Sequence, residues 1–234
     1  MLYITAERLF MEDLSKFGRR ISMVCVDEIH CASEWSHNFR PAYLMLHEMI
    51  KEKLGSQTRV LGLTATATRA CQKEVARIFD IKFPEHLVTQ TDLSRINLQL
   101  AITRDHEKTR ALMNLLRSEA YRGIHSILLF ATQRRTTEQV ASYLSSNGIK
   151  SEAYHAGKSD EQRAYIQKQF TNNKVRVLCC TIAYSMGIDK ADIQSVIHYD
   201  IPRSIENYVQ EIGRAGRDGK LARCHMFLSN EDFY

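Results

Sequence analysis

Short apolar runs alternate with longer amphipathic ones along most of the 234 residues. Residues 21–26, 60–63, 127–130, 175–180 and 196–199 are rich in β-branched types, the pattern of parallel strands buried on both faces. Between them, apolar positions recur at helical spacing over residues 42–54, 68–79, 108–119, 136–147 and 160–172. Strand and helix alternating in this way predict an α/β chain whose parallel sheets are covered by helices on both faces. The stretch 80–97 breaks the rhythm with Pro84 and scattered polar residues, which predicts two domains, residues 1–91 and 92–234. Ligands of such sheets sit at the carboxyl ends of the strands, so the residues after each apolar run are where chemistry is sought.

Composition changes this picture little but excludes several classes. With 44% hydrophobic and 25% charged residues, the chain can build a core without staples. No run approaches the roughly 18 to 20 apolar residues of a membrane span, and Glu7 and Arg8 interrupt what would be the apolar part of a secretory signal. An intracellular protein with no membrane partner is therefore expected. The six cysteines form no CxxC pair and have no histidine at ligand spacing, so neither a zinc site nor a disulfide framework is expected, and buried reduced thiols are. The net charge of +5 is concentrated after residue 91, where 20 Lys/Arg face 16 Asp/Glu, a mild bias that suits a polyanionic partner.

Three strand ends carry candidate chemistry. After 21–26 come Asp27-Glu28-Ile29-His30: Asp27 can hold Mg²⁺ through water, Glu28 can polarise an attacking water, and His30 can sense the nucleotide. The same residues also suit an acidic loop that caps the next helix. After 60–63 come Thr64-Ala65-Thr66-Ala67-Thr68, whose hydroxyls can couple hydrolysis to domain movement or cap the helix beginning near Thr68. Late in the chain, Gln210 to Gly219 sets Arg214 and Arg217 three apart among glycines. An arginine fork of this kind stabilises charge on a transferred phosphoryl group; two exposed arginines in a turn are the plainer account.

In this order and at this spacing, DEIH (27–30), TATAT (64–68) and QEIGRAGRD (210–218) resemble the later motifs of superfamily 2 helicases. The segment HCASEWSHNFRP (30–41) is similar to the aromatic-rich loop of RecQ helicases, and YHAG (154–157), MGID (186–189) and HYDIP (198–202) continue the RecQ pattern. Residues 36–41 followed by Tyr43-Leu44 most resemble the Rothmund-Thomson branch of that family, and the resemblance covers essentially the whole chain.

The resemblance implies two RecA-like lobes and an ATP-dependent 3′-to-5′ DNA helicase acting in repair, recombination or replication, nuclear in a eukaryote and otherwise cytoplasmic. It implies ATP and Mg²⁺ as cofactors and single-stranded and partly duplex DNA as partners. Asp27 and Glu28 become the magnesium-holding and water-activating carboxylates. Arg217 becomes the arginine finger, with Arg214, Gln210 and Asp189 beside it at the nucleotide, and His30, Thr64 and Thr66 couple the two lobes. Trp35, Phe39 and Arg40 become the sensor of single-stranded DNA; aromatic faces stack on any base for about 1 to 3 kcal/mol, and a neighbouring arginine holds phosphate. Thr181 and His155 resemble positions near the DNA phosphates. The pattern fails at the front, where no Gly-Lys-Ser/Thr loop occurs and Gly18 is the sole glycine before the carboxylates. The first lobe is therefore expected to be incomplete and the fragment inactive alone. A non-catalytic DNA- or partner-binding module derived from a helicase is the alternative, and an RNA-directed relative a weaker one.

Overall fold

The computed structural model describes residues 1–14, 21–34, 36, 39–82, 94–181 and 190–233. It divides into two compact units, Met1–Asp92 and Leu93–Tyr234.

In the first unit, α1 (Ala6–Met11) starts at Thr5, whose hydroxyl accepts the Arg8 amide at 3.2 Å. Then follow β1 (Met23–Val26), α2 (Pro41–Leu44), α3 (Leu46–Leu54), β2 (Arg59–Gly62) and α4 (Arg69–Ile78). The helix expected over 42–54 is broken at Met45, between α2, which opens on Pro41 with its fixed φ, and α3. β1 and β2 pair in parallel, Met23 opposite Arg59 through Val26 opposite Gly62. Val24, Val26 and Val60 turn toward a core of Leu9, Ile29, Leu46, Ile50, Cys71, Val75 and Phe79. The other face carries Met23, Cys25 and Leu61, all exposed. The expectation that both strands are buried on two faces is thus corrected. A continuous apolar run shows that a strand can be covered twice, not that a helix is there to cover it.

In the second unit the order is β3 (Leu98–Arg104), α5 (Lys108–Arg117), α6 (Glu119–Arg122), β4 (Ile127–Phe130), α7 (Arg134–Ser146), β5 (Ser151–Tyr154), α8 (Asp160–Thr171), β6 (Val177–Cys180), β7 (Ser195–His198), α9 (Ile205–Ile212) and β8 (Ala222–Leu228). Among the described residues the strands form one parallel sheet ordered β3-β8-β7-β4-β6-β5. Alternate residues of β4 serve opposite faces. Ile127 and Leu129 pack under α5 and α7 with Leu112, Leu116, Val140 and Leu144, whereas Leu128 and Phe130 pack under α8 and α9 with Ile166, Phe170 and Ile212. Helices on both faces of a parallel sheet are the arrangement the pattern predicts for this half. α8 opens with a capping box in which Ser159 and Gln162 satisfy each other's backbone amides.

β3 is the open edge of this sheet, with Leu100 and Ile102 exposed. Its neighbour β8 holds His225, buried, with Nε2 2.9 Å from the Thr103 hydroxyl and its ring tilted on Phe227. Burial holds the His225 imidazole below its ordinary value of 6.5. The unfolded chain therefore takes up this proton at a higher pH than the folded one, and the stability that neutral His225 contributes is present above about 6.5 and falls with pH until the folded ring itself protonates. Urea midpoints measured from pH 7.5 down to 5.0 are expected to drop, and His225→Gln is expected to flatten the slope. An unchanged slope in the variant would show that other groups carry it.

Five cysteines are buried and Cys25 is exposed, which corrects the expectation of six buried thiols; an apolar strand residue is hidden only where its face has a cover. Burial pushes the Cys31 thiol up to about 11 and the Cys224 thiol up to about 12, so both stay protonated.

Candidate functional site

At the end of β1 the chain turns sharply. Asp27 is exposed, and its Oδ1 accepts the Glu28 amide at 3.0 Å. Glu28 adopts φ 50°, ψ 44°, the left-handed region that residues with a Cβ enter at a cost. The next four residues, Ile29–Ala32, close a 3₁₀ turn, tied to the neighbouring strand end by bonds of 2.9 Å from the Ile29 amide to the Leu63 carbonyl and from the Leu63 amide to the Val26 carbonyl.

His30 lies beneath this turn, 1% exposed, with Nδ1 2.7 Å from the Thr64 hydroxyl and 3.2 Å from Glu28 Oε2. The same Thr64 hydroxyl lies 3.3 Å from the Thr66 amide. Thr68 caps α4, accepting the Cys71 amide at 3.3 Å. The hydroxyl run therefore divides its labour: Thr64 meets the acidic turn and Thr68 starts the helix.

Phe39 and Arg40 are exposed, and Trp35 falls outside the described residues. The Arg40 guanidinium pairs with Glu7 and sits 5.3 Å from the centre of the Tyr43 ring, while the Tyr43 hydroxyl donates to the Asp27 carbonyl at 3.3 Å. Bonding to Glu7 holds Arg40 above its usual range; the Glu7 carboxyl is held below its own by its backbone amide and then by Arg40. The segment after the acidic turn is thereby tied back to it, a link between Glu7 and Arg40 that no motif spacing announced.

In the second unit, α9 is capped by the Ser204 hydroxyl, which accepts the Asn207 amide at 3.1 Å, and carries Gln210, half-buried, near its end. Arg214 is buried and Arg217 exposed in the turn that follows, around Gly216 with φ +58°. Beneath it, buried Glu211 meets His198 Nε2 at 2.8 Å, and His198 stacks on Phe130. Asp200, just beyond β7, accepts from the Thr132 amide at 2.8 Å and its hydroxyl at 3.1 Å, fixing the loop that follows β4.

His155 and Thr181 directly follow the adjacent strands β5 and β6, and both are buried. Both His155 ring nitrogens are engaged inside the protein: Nδ1 accepts the Gly157 amide at 3.2 Å, which leaves the proton on Nε2, 3.0 Å from Glu138. The ring thus shapes the loop at Gly157, where an added Cβ would come within 3.3 Å of Arg134 Nη1. Glu138 is a partner that helical periodicity along α7 hid among other polar positions. Asp189 falls outside the described residues; the next residue, Lys190, is buried and bonded to Asp192 at 2.8 Å and Asn173 at 2.9 Å.

Among the described residues no group of three or more His, Cys, Asp or Glu could hold a metal. Mg²⁺ does not ask for one, since it keeps most of its waters and takes one or two carboxylates plus substrate phosphate. An exposed Asp27 fits that requirement.

Two helicase family models match, DEAD/DEAH box helicase over residues 1–74 and the helicase conserved C-terminal domain over residues 107–219, so the acidic turn and the arginine turn each fall in the corresponding half of a helicase. The fold agrees. Yeast (S. cerevisiae) Dbp5 bound to RNA and ADP BeF3 superposes with a TM-score of 0.74 at 19% identity over 92% of this chain and 55% of that one. A DEAD box protein from Methanococcus jannaschii gives 0.54 at 24% identity over 91% and 55%. The chain is 40% identical to ATP-dependent DNA helicase Q-like 5 of Arabidopsis thaliana, over 100% of this chain and 26% of that protein. It is 37% identical to human ATP-dependent DNA helicase Q4 over 89% and 18%, and 33% identical to RecQ of Pasteurella multocida over 100% and 36%. It belongs to the RecQ family of helicases, and it spans between about a fifth and a third of the length of these relatives.

Proposed function

We propose that residues 1–234 carry the water-activating, DNA-sensing and arginine-bearing parts of an ATP-dependent 3′-to-5′ DNA helicase motor that works inside the cell on single-stranded and partly duplex DNA. The observation that carries the reading is the turn at 27–30, where a strained carboxylate residue lies 3.2 Å from a buried histidine that is hydrogen-bonded to the Thr64 hydroxyl. Such strain accumulates where geometry serves a reaction.

ATP with Mg²⁺ supplies an activated phosphoryl group. Asp27 would hold the hydrated cation. Glu28 orients and polarises the attacking water, and His30 passes changes at that carboxylate to Thr64 and Thr66. Arg217, exposed, meets the charge developing on the transferred group, Arg214 and Gln210 support it, and Asp189 joins the nucleotide-facing set. Trp35 and Phe39 stack on bases, and Arg40 exchanges Glu7 for a backbone phosphate when DNA arrives. Since both His155 nitrogens are occupied, His155 acts on DNA by shaping the loop around Gly157, with Thr181 next to it.

A second reading has one observation in its favour: no Gly-Lys-Ser/Thr to cradle phosphates stands among the residues before Asp27, and the Gly-Lys-Ser at 157–159 lies in the second unit, after β5. Under it the chain is a DNA- or partner-binding module. ATP turnover by the native polypeptide that carries residues 1–234, with and without single-stranded DNA, separates the two. DNA-stimulated turnover is expected from the motor, with negligible turnover from residues 1–234 alone. Tight DNA binding with no turnover in the native polypeptide would leave the module.

A further inference from the structure

Just past the boundary between the units, Arg95 and Asn97 reach across the sequence to the turn that bears the two arginines. Arg95 Nη2 donates to the carbonyls of Ala215 at 3.0 Å and Gly216 at 2.7 Å. Asn97 Nδ2 donates to the carbonyls of Gly216 and Lys220, each at 2.8 Å. The two side chains brace each other through Arg95 Nε and Asn97 Oδ1 at 3.2 Å. The Asn97 carbonyl accepts the Ala222 amide at 2.9 Å, which fixes the clamp to the first residue of β8. Ala215 and Gly216 are the residues between Arg214 and Arg217, so the clamp grips the backbone that sets where both guanidinium groups leave the chain.

Gly216 is required by this grip. Its φ of +58° is left-handed, and an added Cβ would lie 2.6 Å from Asn97 Nδ2 and 2.8 Å from the Lys220 carbonyl. From the other side, the Gly216 amide is held by the Ile193 carbonyl at 2.8 Å, and the Gly219 amide bonds the Gly216 carbonyl at 3.1 Å. One carbonyl thus gathers Arg95, Asn97 and Gly219, which is more than a turn needs to close.

We infer that Arg95 and Asn97 are positioning residues for the pair Arg214 and Arg217, joining the segment that opens the second unit to the turn that carries the arginines. The inference rests on the reading of those arginines as phosphate-facing. Displacing a reacting group by about an ångström can cost about 100-fold in rate, so a clamp on their backbone acts on the chemical step more than on binding.

Two measurements test it. In the 234-residue chain, Asn97→Ala is expected to speed hydrogen exchange at the Gly216 and Gly219 amides about 10-fold or more, with the Leu128 and Leu178 amides of the sheet unchanged. No local change, or an equal rise everywhere, overturns the clamp whatever the chain's activity. In the native polypeptide, Asn97→Ala is expected to lower kcat roughly 10- to 100-fold with KM for ATP within about twofold. Asn97→Asp, equal in size but facing two carbonyls without a donor, should lose at least as much. In an Arg217→Ala background the Asn97→Ala loss should shrink to the part that acts through Arg214, because the two changes share the remainder. A loss that multiplies with that of Arg217→Ala, or an active Asn97→Asp, overturns the positioning role. If the unaltered polypeptide hydrolyses no ATP, the motor reading falls, and exchange alone decides the clamp.

Discussion

Glu28→Gln in the native polypeptide is expected to lower DNA-stimulated ATP turnover by about 10²- to 10⁴-fold while nucleotide affinity stays within about twofold. Glutamine keeps the size of the side chain and the left-handed backbone. It removes the negative charge that draws a proton from water. Phosphate release gives the turnover, and titration with a fluorescent nucleotide gives the affinity. A variant that turns over ATP at the parent rate would move the water-activating role elsewhere, whereas one that loses binding and turnover together would assign Glu28 to holding the nucleotide.

Arg217→Ala is expected to cost about 10³- to 10⁵-fold in kcat, the range found when an arginine facing a transferred phosphoryl group is removed. Arg217 is exposed, so thermal melts of variant and parent should coincide. Arg214 is buried, and its truncation should also lower the melting temperature, which separates the two arginines by experiment. Lysine at 217 should restore little, because a point charge on a flexible stem does not reproduce the planar fork. A fall of less than about threefold for Arg217→Ala would place the arginine outside the reaction.

The class of fold was legible because β4 and β6 are uniformly apolar and α5 and α7 are amphipathic over ten residues or more. The strands that escaped reading lack that signature. β5 is Ser-Glu-Ala-Tyr, held by its neighbour more than by its own composition, and β3 is an edge strand with Leu100 and Ile102 turned outward. β8 mixes Arg223 and His225 among apolar residues, because each has a partner, Gln99 and Thr103 respectively. The residue types of the two turns could be read from their spacing. Their supports could not: Glu7 under Arg40, Glu138 under His155 and Asp200 under Thr132 are polar residues joined across 17 to 68 positions. No local pattern encodes such a pairing, since it exists only once the chain has folded.

A side chain at position 28 bears a cost that glycine would avoid, of order 1 to 3 kcal/mol for a strained backbone. Heat resistance and turnover therefore pull in opposite directions on a single codon. Selection for survival at high temperature alone would favour glycine there, and selection for catalysis would bring the acid back.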